Sequence, residues 1–172
     1  LFWRQELRGS ALKKLILAFL LSVSTTFSFA ENGSLKEYSE VVEINNTPQK
    51  TIYDAAKIWV AKSFKSSNSV IQYEDATTGT ILGKGNMAYP CKGFLNCIAH
   101  EGYIVFFTLK IDTKDNKARV TFSDMSIKVP ANSMMEAFEI EVKSQADKTN
   151  VEQTLKQIIS TFQTSVQQAS VD

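Results

Sequence analysis

YIVFFTLKID, residues 103–112, is the stretch on which the fold turns. Tyr103, Val105, Phe107, Leu109 and Ile111 occupy one side of a strict two-residue alternation, and Ile104, Phe106, Thr108, Lys110 and Asp112 occupy the other. That period belongs to a β-strand with one face in the core. Beyond it, Asp115-Asn116 supplies a turn, and Ala118 to Val129 (ARVTFSDMSIKV) reads as a returning strand. Val120 and Phe122 set its inward phase, yet Met125, Ile127 and Val129 follow in the opposite phase. A β-bulge near Ser123-Asp124 reconciles the two, because one extra residue flips every side chain after it.

Upstream, Val70 to Glu74 and Thr80 to Ala88 read as a hairpin joined through Thr77-Thr78-Gly79. Ser39 to Ile44 is a β-branched run ended by Asn45-Asn46 and reads as a first strand. A helix follows: Thr47 is placed to cap it, Pro48 suits its first position, and Ile52, Ala56, Trp59, Val60 and Phe64 share one face. Downstream, Ala137 to Val142 has weak strand character, and Thr149-Asn150-Val151-Glu152 has the form of a capping box. Val151, Leu155, Ile158, Ile159, Phe162, Val166 and Ala169 then keep a helical period. The predicted order is β-α-β-β-β-β-α. This implies a two-layer α+β domain with an antiparallel sheet and two helices packed on one face.

The segments VIQYEDATTGTILGKGNM (Val70 to Met87) and ARVTFSDM (Ala118 to Met125) resemble the bacterial domain-of-unknown-function family 4468. The resemblance covers roughly residues 40 to 130, with Cys91 to Cys97 as an insert. Its specific part is YED-x-x-TG-x-I-x-GKG, Tyr73 to Gly85. It implies a TATA-box-binding-protein-like fold and an exported setting, and no activity.

Leu12 to Ala30 (LKKLILAFLLSVSTTFSFA) reads as a signal peptide, with Lys13 and Lys14 before an apolar run and small residues at Ser28 and Ala30. Ser22, Ser24, Thr25 and Thr26 interrupt the run well short of a membrane span. The expectation is cleavage between Ala30 and Glu31, a periplasmic or secreted product, and no membrane anchor after cleavage. Residues 1–11 read as an upstream or non-native extension, and residues 31–172 as a single α+β domain. Setting aside Arg4, Arg8, Lys13, Lys14 and Glu6 leaves 15 basic residues against 17 acidic, a net charge of −2. Nucleic acid and anionic membrane surfaces are therefore not expected partners. Cys91 and Cys97 enclose KGFLN, and in an oxidising compartment they are expected to pair.

No catalytic constellation is legible. Gly83-Lys84-Gly85 lacks the spacing and setting of a phosphate loop, and its glycines instead allow twist or a close backbone approach. His100 is the only histidine, so neither a nucleophilic triad nor a metal site is expected, and no cofactor is implied. Asp124 follows Val120 and Phe122 on the inward phase, where a carboxylate needs a partner. One reading pairs it with Glu74 or Asp75 in an envelope hydrolase. The other lets the bulge turn it towards Ser123, Ser126 or a backbone amide.

The face opposite the core presents Ile104, Phe106, Thr108, Arg119 and Thr121, a mixed surface with an apolar centre. Ile104, Phe106, Arg119, Thr121 and Asp124 are the candidate contact residues. The expected function is a non-enzymatic binding or interaction module of the envelope, taking a protein, a peptide, a small apolar ligand or a second copy of itself. The competing expectation is that Ala137 to Val142 covers this face.

Overall fold

In a computed structural model of the chain, residues 33–64 and 70–169 are described, and they belong to one unit, Gly33–Asp172. The expected signal peptide and the extension before it lie outside the described residues.

Among the described residues nine elements follow one another: β1 (Glu37–Glu43), α1 (Gln49–Ser63), β2 (Val70–Asp75), β3 (Thr80–Ala88), α2 (Phe94–Ala99), β4 (Ile104–Lys114), β5 (Lys117–Val129), β6 (Phe138–Glu141) and α3 (Gln145–Ala169). All strand pairs are antiparallel, in the order β1-β5-β4-β3-β2. β5 is the longest strand and carries two neighbours end to end on its outer side. β1 pairs with it from Lys117 to Ser123, and β6 pairs with it from Ser126 to Val129. The break between them is the expected bulge. Phe106 faces Ser126 and Thr108 faces Ser123, so Asp124 and Met125 together oppose Phe107. Asp124 takes a φ of +51°. Phe122 is buried before the bulge, and Met125, Ile127 and Val129 are buried after it, which restores the core phase.

α1 and α3 pack side by side on one face of the sheet, as the order of elements predicts. The Trp59 ring meets Phe162 edge-on at 5.2 Å, and its indole N–H donates to Thr161 Oγ1 at 3.2 Å. Phe64 of the α1 end reaches Phe107 at 5.8 Å, and Phe107 reaches Phe122 at 5.1 Å, so aromatic rings tie both layers together. Val151, Leu155, Ile159, Phe162 and Val166 are buried, whereas Ile158 is half-buried and Ala169 exposed.

The structure corrects two helix starts. Thr47 does not cap α1. It is buried, its hydroxyl donates to Asn45 O at 3.1 Å, and Asp115 of the β4–β5 turn accepts from the Gln49 amide at 2.8 Å instead. Asn116 completes this docking by accepting from the Thr47 amide through Oδ1 and donating to Thr47 O. α3 begins four residues before Thr149. Ser144 Oγ accepts from the Asp147 amide at 3.0 Å, while Thr149 donates back to Gln145 O inside the first turn.

Two short elements enlarge the expected order to six strands and three helices. α2 has no buried residue, so it has no apolar stripe to announce it. It begins inside the segment closed by the Cys91–Cys97 disulfide, Cα–Cα 4.9 Å, and runs two residues past it, and the bridge is the expected pair. The Ala137 to Val142 stretch does not cover the open face. It joins the sheet edge as β6, and Val142 O accepts from the Leu35 amide at 2.8 Å, which ties it beside the start of β1.

Candidate ligand face

The registers of the strands place the outward side chains in rows across the sheet. One row runs Val41, Arg119, Asp112, Thr80 and Asp75, and the next runs Ser39, Thr121, Lys110, Leu82 and Tyr73. Further along, Thr108 stands beside Lys84, and Phe106 between Asn86 and Ser126. These side chains are half-buried or exposed, and among the described residues no helix packs over them.

Two depressions mark the face. The first, about 320 Å³, is lined by Lys84, Phe106, Thr108, Asp124, Ser126 and Glu139. It sits at the bulge, where Ser126 Oγ donates to Glu139 Oε2 at 2.8 Å. The second, about 350 Å³, lies at the hairpin end and is lined by Val41, Thr78, Asp112, Lys114, Lys117 and Arg119. The structure thus brings Phe106 and Asp124 into one depression and Arg119 into the other. Thr121 lies between them, its hydroxyl 2.9 Å from that of Ser39, and Ile104 lies beyond both, beside Lys128.

Asp124 is exposed rather than inward, because its positive φ swings the side chain out of the strand phase. Ser123 Oγ donates to its Oδ2 at 3.3 Å, which is the turn-acceptor alternative read from the sequence. The paired-carboxylate site does not assemble. Asp124 is on β5, whereas Glu74 and Asp75 are on β2, three strand steps of roughly 4.8 Å away, beyond the reach of any two-carboxylate mechanism. Glu74 instead meets Lys57 Nζ at 2.9 Å. Asp75 accepts from the Thr77 amide at 2.8 Å and the Thr78 hydroxyl at 2.9 Å, and the Thr77 amide bond leads the causes that hold its carboxyl below the usual value.

His100 stays in the connector, its ring stacked 4.5 Å from that of Tyr89 and its Nδ1 2.8 Å from Asn96 O. Tyr89 donates to Asp147; burial first, and then that carboxylate, push its phenol up to about 12. Among the described residues no group of three or more His, Cys, Asp or Glu is placed to hold a metal ion.

Sequence reasoning overlooked Lys114 and Lys117, although the alternation that selected Arg119 places both on the same face. Glu139 had no such signal, since it depends on β6 joining the edge.

The family model described as "Domain of unknown function (DUF4468) with TBP-like fold" matches residues 38–128. The chain belongs to the DUF4468 family. The match covers β1 to β5 and the two helices between them and stops before β6 and α3, so the face with its two depressions lies almost wholly within the DUF4468 portion. A TBP-like protein from Parabacteroides distasonis is similar in structure, with a TM-score of 0.62 and 16% identity over 76% of this chain and 92% of that one. A DUF4468 family protein from Bacteroides ovatus gives a TM-score of 0.50 and 18% identity over 75% and 78% of the two chains. At these identities the likeness is one of fold alone. No curated protein matches the chain.

Proposed function

We propose that this DUF4468 protein is an exported, non-enzymatic binding module of the bacterial envelope that contacts its ligand through the open sheet face. The observation that carries the reading is the bare face itself. Among the described residues helices pack on only one side of the sheet, which leaves Phe106 and Ile104 amid polar neighbours, and a half-apolar surface with two concavities is the usual form of a contact site. The disulfide fits an oxidising compartment, and among the described residues no helix is long and apolar enough to cross a membrane.

The test places a photo-crosslinking residue at Phe106, and separately at exposed Lys156 on α3, in cells that make the full chain. The reading expects a mature chain starting at Glu31 with its disulfide intact, and adducts from position 106 that position 156 does not give. An adduct of twice the mature mass identifies a second copy as the partner. An uncleaved chain, or equal adducts from both positions, overturns the reading.

A further inference from the structure

The strands around the Asp115-Asn116 turn carry four cations within ten residues, Lys110, Lys114, Lys117 and Arg119, against two acids, Asp112 and Asp115. Both acids are already engaged. Asp112 accepts from Lys110 Nζ through Oδ2 at 2.9 Å and from Thr80 Oγ1 through Oδ1 at 3.0 Å. Asp115 accepts from the Gln49 amide at the start of α1. Lys114, Lys117 and Arg119 are left, among the described residues, with no carboxylate partner. Glu43 is the register partner of Lys117 on β1, yet the two form no ion pair.

These three cations point to one place. Lys114 and Lys117 are directly opposite each other, Arg119 is the next outward residue on β5, and all three line the 350 Å³ depression. Like charges directly opposite one another destabilise a strand pair, so the arrangement carries a local electrostatic cost that an anion would relieve. Among the described residues Asp112 is the only acid in the lining, and Lys110 already balances it. A single exposed lysine binds anions weakly; three cations facing one concavity, one of them a planar guanidinium suited to two-point contact with an oxyanion, form a recognisable subsite.

We propose that this depression binds a small multivalent oxyanion, a polycarboxylate or a phosphate, gripped by Arg119 with Lys117 and Lys114 closing on it. The proposal rests on the open face being the contact surface and names the chemistry taken at its hairpin end. Val41 gives the depression an apolar wall, and Thr78 closes it from the β2–β3 turn, its hydroxyl proton already given to Asp75.

The test is an NMR titration of the mature, disulfide-bonded protein with inorganic phosphate and, separately, with citrate, against chloride at matched ionic strength. Saturable shifts confined to residues 112–119 and Thr78 are expected, and the anion that saturates first identifies the source as phosphate or carboxylate. K117Q/R119Q should weaken binding roughly tenfold or more through loss of two charge-assisted contacts, and D112N, which removes the one acid in the lining, should tighten it. Shifts that fail to saturate, spread over all lysines, or persist unchanged in K117Q/R119Q overturn the proposal. Its failure with crosslinking at Phe106 intact removes only the anion site. Anion binding without adducts at Phe106 keeps the hairpin-end site and removes the partner contact at the bulge end of the face.

Discussion

The ring of Phe107 occupies the space that a side chain on Gly85 would need: a Cβ there would lie 2.5 Å from Phe107 Cε2 and 2.9 Å from Cζ. The two residues are register partners on β3 and β4, and Phe107 cannot retreat because Phe64 and Phe122 flank it edge-on. Gly85→Ala should therefore destabilise the fold by about 2 kcal/mol, as overpacking of a dense core does. Urea denaturation of the variant checks this, and an unchanged midpoint would show that the ring yields.

Asp75 closes the β2–β3 turn as an ionised acceptor, with its carboxyl lowered from 3.8 chiefly by the Thr77 amide. A lowered folded value favours the charged form, so its contribution is complete above pH 3.8 and lost as the pH falls through the folded value. The Thr77 and Thr78 amide signals should titrate with a midpoint below 3.8, and Asp75→Asn should abolish that titration. A midpoint at or above 3.8 would contradict the turn geometry.

Tyr89 behaves in the opposite sense. Its raised value favours the neutral phenol, so the stabilisation is complete below pH 10.0 and is lost as the pH rises through about 12. Unfolding free energy should fall across that alkaline window in the native protein and stay flatter in Tyr89→Phe. The variant should also lose about 1 kcal/mol at neutral pH with its bond to Asp147.

Reduction of Cys91–Cys97 should loosen only the connector. The bridge spans six positions, so chain entropy assigns it roughly 2 kcal/mol, and α2 contributes no buried side chain to the core. Hydrogen exchange after reduction should quicken in residues 91–103 and leave β4 and β5 protected. Exchange quickening throughout the sheet would mean that the bridge holds the fold itself.

Much of this fold is legible in the chain because its signals are periodic and local. The alternation of 103–112 gives β4, and the phase change after Phe122 gives the bulge without any knowledge of β1 or β6. What escaped depends on partners far along the chain. The cap of α1 comes from Asp115, 66 residues away, so Thr47 was the natural but mistaken choice. All four residues of β6 are exposed, which leaves the weak strand character of Ala137 to Val142 without a core-facing side to place it in the sheet. Asp124 leaves the inward phase for a geometric reason, since strand phase predicts direction only while the backbone stays extended and a φ of +51° leaves that regime, and the turn-acceptor reading of the bulge anticipates its bond to Ser123. Arg119 was visible by alternation, whereas the need of Lys114 and Lys117 for an anion emerges only once Asp112 and Asp115 are seen to be engaged.

The end-to-end sharing of β5 by β1 and β6 has a consequence for the order in which the chain becomes native. Ser39 and Thr121 face each other across 82 residues, so the first strand to be made waits for one of the last. The β2-β3-β4-β5 meander closes through two turns and the disulfide-pinned connector before β4, and its contacts are nearer in sequence than those of β1 with β5. Loop-closure entropy therefore favours docking of the leading strand and α1 onto a sheet that already exists. A chain halted before Lys117 holds its own N-terminal edge unpaired, and in that interval it is open to proteases and to chaperones that grip extended segments.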